Sequence, residues 1–433
     1  MEEEVTAAEK PRNRHPRVRG VKPAPERALP LSASSTRVSA AAAPALAAQP
    51  PATEAFSARH DARARAMPAA RLGELFQALV ARGFEIVGPT ARDGAIVYDR
   101  ISGVSDLPAG WTDEQEAGHY RLIRRNDQAL FGYVVGPQSW KKYLHPAEVK
   151  LFAAERQSGA FRILNNETKP APRAFIGVRA CELAALKIQD RVLLADKYTD
   201  PIYAARREGV FIVAVQCTQS AATCFCASMG TGPQVKGGFD LRLTELLDGA
   251  HQFLIEAGSE RGEQVLLEFE TTPAGDSELR QAEAAVEKAA RDQVRSIDQD
   301  GIKELLYQNF NSPRWDDVAA RCLTCANCTM VCPTCFCTNV EDVTDVTGDH
   351  AERWRRWDSC FTLNFSHIHG GSIRVSSKAR YRQWMTHKLA AWIDQFGSSG
   401  CTGCGRCITW CPAGIDITEE VRAMREGDTH GNA

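Results

Sequence analysis

The sequence predicts an α+β chain: an N-terminal mixed α/β domain with antiparallel hairpins and a βαβ unit, followed by a mainly helical, cysteine-rich domain. Three observations predict it. Apolar runs at residues 174–178 and 211–215 flank a helical pattern. Strand–turn–strand patterns recur around Asp93-Gly94 and Asn126-Asp127. Two cysteine runs of the same spacing lie in the last third of the chain, separated by a stretch of helical periodicity.

Residues 1–68 are rich in alanine, proline and arginine, as in AAAPALAAQPPATEAF and RNRHPRVRG, and Phe56 is their single aromatic residue. Such a composition buries too little apolar surface to offset the entropy of ordering, so a disordered tail is expected. The tail opens on acidic residues and has no apolar core of the kind a secretory signal needs. Met67 is a candidate start of translation, because the first helical stripe begins directly after it.

Residues 69–294 carry the α/β pattern. Leu72, Leu75, Phe76, Leu79 and Val80 form a one-sided stripe that ends at Gly83. EIVGPTARDGAIVYDRI reads as two strands around Asp93-Gly94, and YRLIRRNDQALFGYVVG repeats the logic. AFIGV, the helical RACELAALKIQDRVLL and FIVAV make the βαβ unit. HQFLIEAGSERGEQVLLEF reads as another hairpin, and DSELRQAEAAVEKAARDQV as an exposed helix leading to a boundary near residue 295.

Residues 295–433 hold the cysteine runs. CTGCGRCITWCPAGID contains Cys401, Cys404, Cys407 and Cys411, followed by a proline. RCLTCANCTMVCPTC contains Cys322, Cys325, Cys328 and Cys332 at the same spacing, again with a proline. A structural zinc site draws ligand pairs from two separate turns. Three thiolates from one seven-residue turn suit three corners of an iron–sulfur cube, and the fourth cysteine of such a run ligates the other cluster. Two [4Fe–4S] clusters are therefore expected. Cys322, Cys325, Cys328 and Cys411 would hold one, and Cys401, Cys404, Cys407 and Cys332 the other. Gly400, Gly403 and Gly405 allow tight turns and close approach of backbone N–H groups to sulfur. Between the runs, AERWRRWDSC and KARYRQWMTHKLAAWIDQFG read as helical, the second ending at Gly397.

A second constellation lies in the α/β part. Cys181 follows the AFIGV strand, Cys217 closes FIVAVQC, and Cys224 and Cys226 lie just downstream in TCFCASMGTGP, with Glu182 beside them. Ligands gather outside the carboxyl ends of parallel strands, so the topology brings these four cysteines toward one crevice. They read as a candidate third Fe–S cluster, with burial as small apolar side chains the alternative. Cys335, Cys337 and Cys360 read as packing beside the clusters.

The remaining numbers exclude more than they assert. A net charge of −2 over 433 residues gives no overall pull toward nucleic acid or anionic lipid. Fifteen cysteines in a long chain with two such runs point to metal ligands in a reducing cytoplasm rather than to disulfides. No run of eighteen apolar residues suggests a membrane span. No GxGxxG opens a helix after a strand, and no P-loop, HExxH or nucleophile elbow occurs. The basic and aromatic stretch at residues 354–388 reads as a partner-docking face, with single-stranded nucleic acid the alternative occupant. Clusters without a substrate site point to electron relay, with a self-sufficient Fe–S oxidoreductase using the Cys181 and Cys217 crevice as a competing reading.

GAIVYDRI, LFGYVVGPQSWKKYLHP, GVRACEL, TCFCASMGTGP, CTMVCPTCFC, RWRRWDSCFTLNFSHIHGGS and CGRCITWCPAGIDITEE together resemble the β subunit of cytoplasmic NAD(P)-linked [NiFe] hydrogenases, or sulfhydrogenases. The same segments resemble the corresponding iron–sulfur subunit of anaerobic sulfite reductase. The resemblance covers residues 70–425. It implies a cytoplasmic electron-transfer subunit, itself non-catalytic, placed between two partners. One is a flavin- and [2Fe–2S]-containing NAD(P)H diaphorase subunit. The other is a hydrogenase small and large subunit pair or, in the alternative, a siroheme sulfite reductase subunit. Ala180 and Glu182 stand where that pattern often has proline and aspartate, and Cys181 is kept.

Overall fold

The computed structural model describes residues 64–165, 170–194 and 198–430. Residues 1–63, most of the tail read as disordered, lie outside the described residues. The described part belongs to a compact unit spanning residues 50–433.

Strand β1 (Arg65–Pro68) opens the fold. It begins two residues before Met67, whose side chain is fully buried, and Arg65 and Ala66 pair with Ile255 and Leu254. Helix α1 (Leu72–Ala81) follows. Leu72, Leu75, Phe76 and Leu79 are buried as expected, but Val80 is 55% exposed, because the stripe turns with the 3.6-residue period and Ala78 takes the inward position. Strands β2 (Glu85–Arg92) and β3 (Ala95–Arg100) form the first hairpin, with Asp93 and Gly94 both at positive φ in its turn.

The second expected hairpin is replaced by another. Strands β4 (Trp111–Glu116) and β5 (His119–Arg124) pair with each other, and residues 125–140 form no strand. Side chains satisfy that backbone instead of a ladder. The Glu245 carboxylate accepts the Leu130 and Phe131 N–H groups, and Asp113 accepts that of Val134. Arg179 donates to the Phe131 and Tyr133 carbonyls.

Strands β6 (Glu148–Gln157) and β7 (Ala160–Asn165) pair next, before β8 (Arg173–Val178). Helix α2 (Ala180–Leu193) then crosses to β9 (Val210–Val215), parallel to β8, as the βαβ reading requires. Strand β10 (Leu241–Leu246) extends the parallel set, and β11 (Gln252–Ala257) pairs antiparallel to it. Of the hairpin expected over residues 251–269, the first strand is β11, but the second is replaced by helix α3 (Glu260–Leu266), which Ser259 caps by accepting the Gly262 N–H. Strand β12 (Thr272–Pro273) and helix α4 (Asp276–Arg291) complete this part.

The large sheet runs β12-β1-β11-β10-β9-β8-β2-β3. Every described side chain of β9 is buried, as a parallel strand covered on both faces requires. Ile176, Phe211, Val213 and Val215 face α1, while Phe175, Val178, Ile212 and Ala214 face α2. This sheet fixes where Cys181 and Cys217 emerge.

The stretch after the first cysteine run departs most from its helical reading. Strands β13 (Thr338–Thr344) and β14 (His350–Trp357) form a hairpin, and β14 also pairs with β6 in a sheet of order β13-β14-β6-β7. AERWRRW is therefore a strand. Its charges are matched across the ladder: Arg353 with Asp342, Arg356 with Glu341 and Glu148, and Glu352 with Lys150. The fold class stands as α+β. No helix among the described residues is long and apolar enough to cross a membrane.

Candidate iron–sulfur centres

The two cysteine runs adopt the same local conformation. Thr324 and Ala326 have φ of 51° and 67°, and their counterparts Gly403 and Gly405 have 62° and 76°. Each loop then enters a four-residue helix, α5 (Asn327–Met330) or α7 (Arg406–Thr409). Helix α6 (Ser377–Thr386) lies between them in sequence, and α8 (Ile417–His430) follows the second run. In both runs the amide two residues past the first cysteine points at its sulfur. Thr324 N–H lies 3.4 Å from Cys322 Sγ, and Gly403 N–H 3.5 Å from Cys401 Sγ. The left-handed residues turn these amides toward sulfur, at no steric cost for glycine and at some cost for threonine and alanine.

Cys322, Cys325, Cys328 and Cys411 line one pocket together with Cys407, and Phe361, Ile415 and Ile417 stand on its walls. The same pocket is lined by Tyr381 and Trp384, whose buried hydroxyl and indole N–H have no hydrogen-bond partner. Two unpartnered donors in a pocket lined by cysteines fit a cluster whose sulfurs accept hydrogen bonds. Burial pushes the Cys328 thiol well above its ordinary range. As a ligand of a cluster, Cys328 would be held as the thiolate, with iron supplying the counter-charge.

Cys332 reaches the second run. The Lys388 ammonium donates to Cys332 Sγ at 3.3 Å and to the Gly400 carbonyl, one residue before Cys401. A hydrogen bond from the Cys335 thiol and the Lys388 charge favour the Cys332 thiolate. Burial pushes Cys401 up to about 12, against the pull of Lys388. Asn327 ties the two runs by donating to the Trp410 carbonyl at 2.6 Å.

The α/β cysteines also converge. Cys181 sits in the first turn of α2, and Cys181, Cys224 and Cys226 pack in one cluster with Cys404 of the second run. Cys217 lies close enough to raise the Cys226 thiol, after burial. The TCFC loop presses on the second run: Phe225 N–H donates to the Gly403 carbonyl at 2.9 Å. A Cβ on Gly403 would lie 2.6 Å from the Cys226 nitrogen, and one on Gly405 2.5 Å from the Thr223 carbonyl. These glycines thus serve loop–loop contact as well as the approach to sulfur. Glu182, 1% exposed, accepts from Tyr98, Trp140 and Arg406.

Among the described residues no three cysteine, histidine or carboxylate side chains converge on the position of a single metal ion. Ligands of a cube bind four different irons and stand farther apart than those of one tetrahedral zinc.

A family described as a 4Fe-4S dicluster domain matches residues 321–415. The chain is 34% identical over 285 residues to sulfhydrogenase 2 subunit beta of Pyrococcus furiosus, an alignment covering 64% of this chain and 83% of that protein. The chain belongs to the sulfhydrogenase beta-subunit family. No solved structure matches it.

In this sulfhydrogenase beta-type chain the structure groups the sequence-derived cysteines and adds residues that the cysteine spacing does not reveal. Tyr381, Trp384 and Lys388, read above as part of a docking face, are at most 5% exposed and turned toward the cysteines. Trp354 and Trp357 lie on strand β14. Arg406 is fully buried and was not singled out, although its place between Cys404 and Cys407 was visible. Cys335 packs against Cys332 and Lys388, while Cys360 neighbours Cys328 and Cys337. The chain is an iron–sulfur electron-transfer subunit of hydrogenase beta type.

Proposed function

We propose that this chain relays single electrons between a flavin- and [2Fe–2S]-containing NAD(P)H oxidoreductase partner and a [NiFe] hydrogenase module. Two [4Fe–4S] clusters would be held by Cys322, Cys325, Cys328 and Cys411 and by Cys401, Cys404, Cys407 and Cys332. A third Fe–S cluster would be held by Cys181, Cys217, Cys224 and Cys226. The observation that carries the reading is the pocket in which five cysteines from both runs meet two unpartnered buried donors, Tyr381 and Trp384. The contact of Cys404 with Cys181, Cys224 and Cys226 supports a path from the second run to the α/β crevice.

The clusters supply reversible one-electron storage when bound. The protein contributes the rest. Its cysteines would fix the positions of the centres, and Phe361, Ile415 and Ile417 give the first pocket apolar walls. Amide, indole and ammonium donors set the charge each site tolerates. We assign residues 69–294 to the α/β domain and 295–433 to the dicluster domain, the two meeting through the sheet β13-β14-β6-β7 and through the second run.

Anaerobic purification with co-purifying partners, iron counting and EPR test the proposal. About twelve irons per chain supports three [4Fe–4S] centres, and about eight removes the third. Cys404→Ser is expected to abolish NAD(P)H-linked turnover while artificial-dye activity of the catalytic partner persists. Normal NAD(P)H-linked rates in that variant would sink the relay.

A further inference from the structure

Two buried ammonium groups flank Cys332 and Cys335. Lys388 is 5% exposed, and its Nζ donates to Thr334 Oγ1 at 2.9 Å, the Gly400 carbonyl at 3.2 Å, Cys332 Sγ at 3.3 Å and Cys335 Sγ at 3.6 Å. Lys141 is 4% exposed, donates to the Cys335 carbonyl at 3.0 Å and lies 4.0 Å above the Trp357 ring. Among the described residues neither lysine forms an ion pair with a carboxylate. A buried cation without a counter-anion is costly, so the pair calls for an anionic partner at this place. Thiolates that carry a cluster are such a partner. The other buried cation near the second run, Arg406, is already matched by Glu182.

The Cys322 pocket is built differently. Its buried donors, Tyr381 and Trp384, are neutral, and its walls are apolar. The cation that bears on Cys322 is Arg380, a partly exposed side chain that donates to the Phe361 carbonyl and is screened by solvent. One helical stretch supplies both environments. Tyr381, Trp384 and Lys388 fall at spacings of three and four residues on one side of it, and Lys388 lies in the π-helical turn His387–Ala391.

We propose that Lys388, seconded by Lys141, sets the order of the two cluster potentials. The site containing Cys332 then takes an electron more readily than the Cys322 pocket. Each site gains one negative charge on accepting one electron. A fixed buried cation favours that gain, and an apolar wall with neutral donors favours it less. Passage from pocket to Cys332 site removes one electron from the first and adds one to the second, and it runs downhill. This inference rests on the two-cluster reading above.

The test is an EPR-monitored redox titration of the anaerobically purified holo-protein, with iron and sulfide counted on every sample. The signal lost in Cys411→Ser identifies the pocket cluster. In the wild type that cluster is expected to have the lower midpoint. Lys388→Met is expected to lower the other midpoint and leave the pocket midpoint in place, and Lys388→Arg to restore it. Tyr381→Phe is expected to move the pocket midpoint alone. Fully loaded Lys388→Met protein with both midpoints unmoved, or a wild type in which the pocket midpoint is the higher, overturns the ordering. If Lys388→Met loads incompletely, Lys141→Met is read in the same way and decides. Iron-free protein would instead overturn the two-cluster reading itself.

Discussion

Arg406 and Glu182 form an ion pair at 2.5 Å with side chains 0% and 1% exposed, joining the second cysteine run to the helix that carries Cys181. Arg406 also donates to the Gly136 and Gln138 carbonyls, and Glu182 also accepts from Tyr98 and Trp140. Charge, carbonyl and aromatic partners surround both groups, so water cannot replace either one. Removing one partner strands the other. Glu182→Gln or Arg406→Met is expected to cost about 3–5 kcal/mol, read as a drop in the denaturation midpoint of holo-protein. A loss under about 1 kcal/mol would show the pair to be dispensable.

The second run is expected to tolerate less change than the first. Gly405 combines a positive φ with a carbonyl oxygen 2.5 Å from where a Cβ would sit, so Gly405→Ala adds both left-handed strain and overpacking. The sum is about 3 kcal/mol or more. Ala326 holds the same position in the first run, and Ala326→Gly is expected to stay within about 1 kcal/mol of wild type. Unfolding midpoints and iron content of the two variants, measured side by side, check the contrast.

The difference between the two runs explains what could be seen in the sequence. Cluster ligation is local, so the dicluster character of residues 321–415 was legible in cysteine spacing. A buried parallel strand is equally local: continuous apolar runs sufficed for β8 and β9, and the Asp93-Gly94 turn marked its own hairpin. Residues 350–357 depart from their helical reading because their order comes from Glu148, Lys150 and Asp342, whose matching charges make a strand out of a segment that looks helical alone. Residues 125–140 depart for the same reason, with the Glu245 carboxylate standing where a neighbouring strand was expected. Lys388 does leave a signal in the sequence. It shares a helix side with Tyr381 and Trp384, where a solvated lysine would not be placed.

Acid sensitivity is expected to trace partly to His145. Burial, then the Arg355 and Lys141 charges, lower its pKa to about 4. The unfolded chain binds the proton near pH 6.5, so the contribution to stability is full above that pH and is lost as pH falls toward 4. At about pH 5 the loss is about 2 kcal/mol. His145→Phe is expected to narrow the gap between urea midpoints at about pH 7 and about pH 5 by that amount. An unchanged gap would place the titrating group elsewhere.

Iron removal is expected to loosen the two runs selectively. Under the proposed crossed ligation, cysteines of residues 322–332 and 401–411 would share clusters, and direct protein contacts between the runs include the Asn327–Trp410 bond. The second run keeps its seat on the α/β domain through Arg406, Gly403 and Thr402, whereas the first run lacks such a buried ion pair among the described residues. Chelation under reducing conditions should therefore raise amide exchange most in residues 322–332, less in residues 401–411, and least in β8 and β9. Those strands are held by the fully buried Phe175, Ile176 and Val213, whose packing involves no metal. Equal deprotection of all three segments, followed by mass spectrometry, would mean that the clusters hold the entire fold together and that the large sheet has no stability of its own.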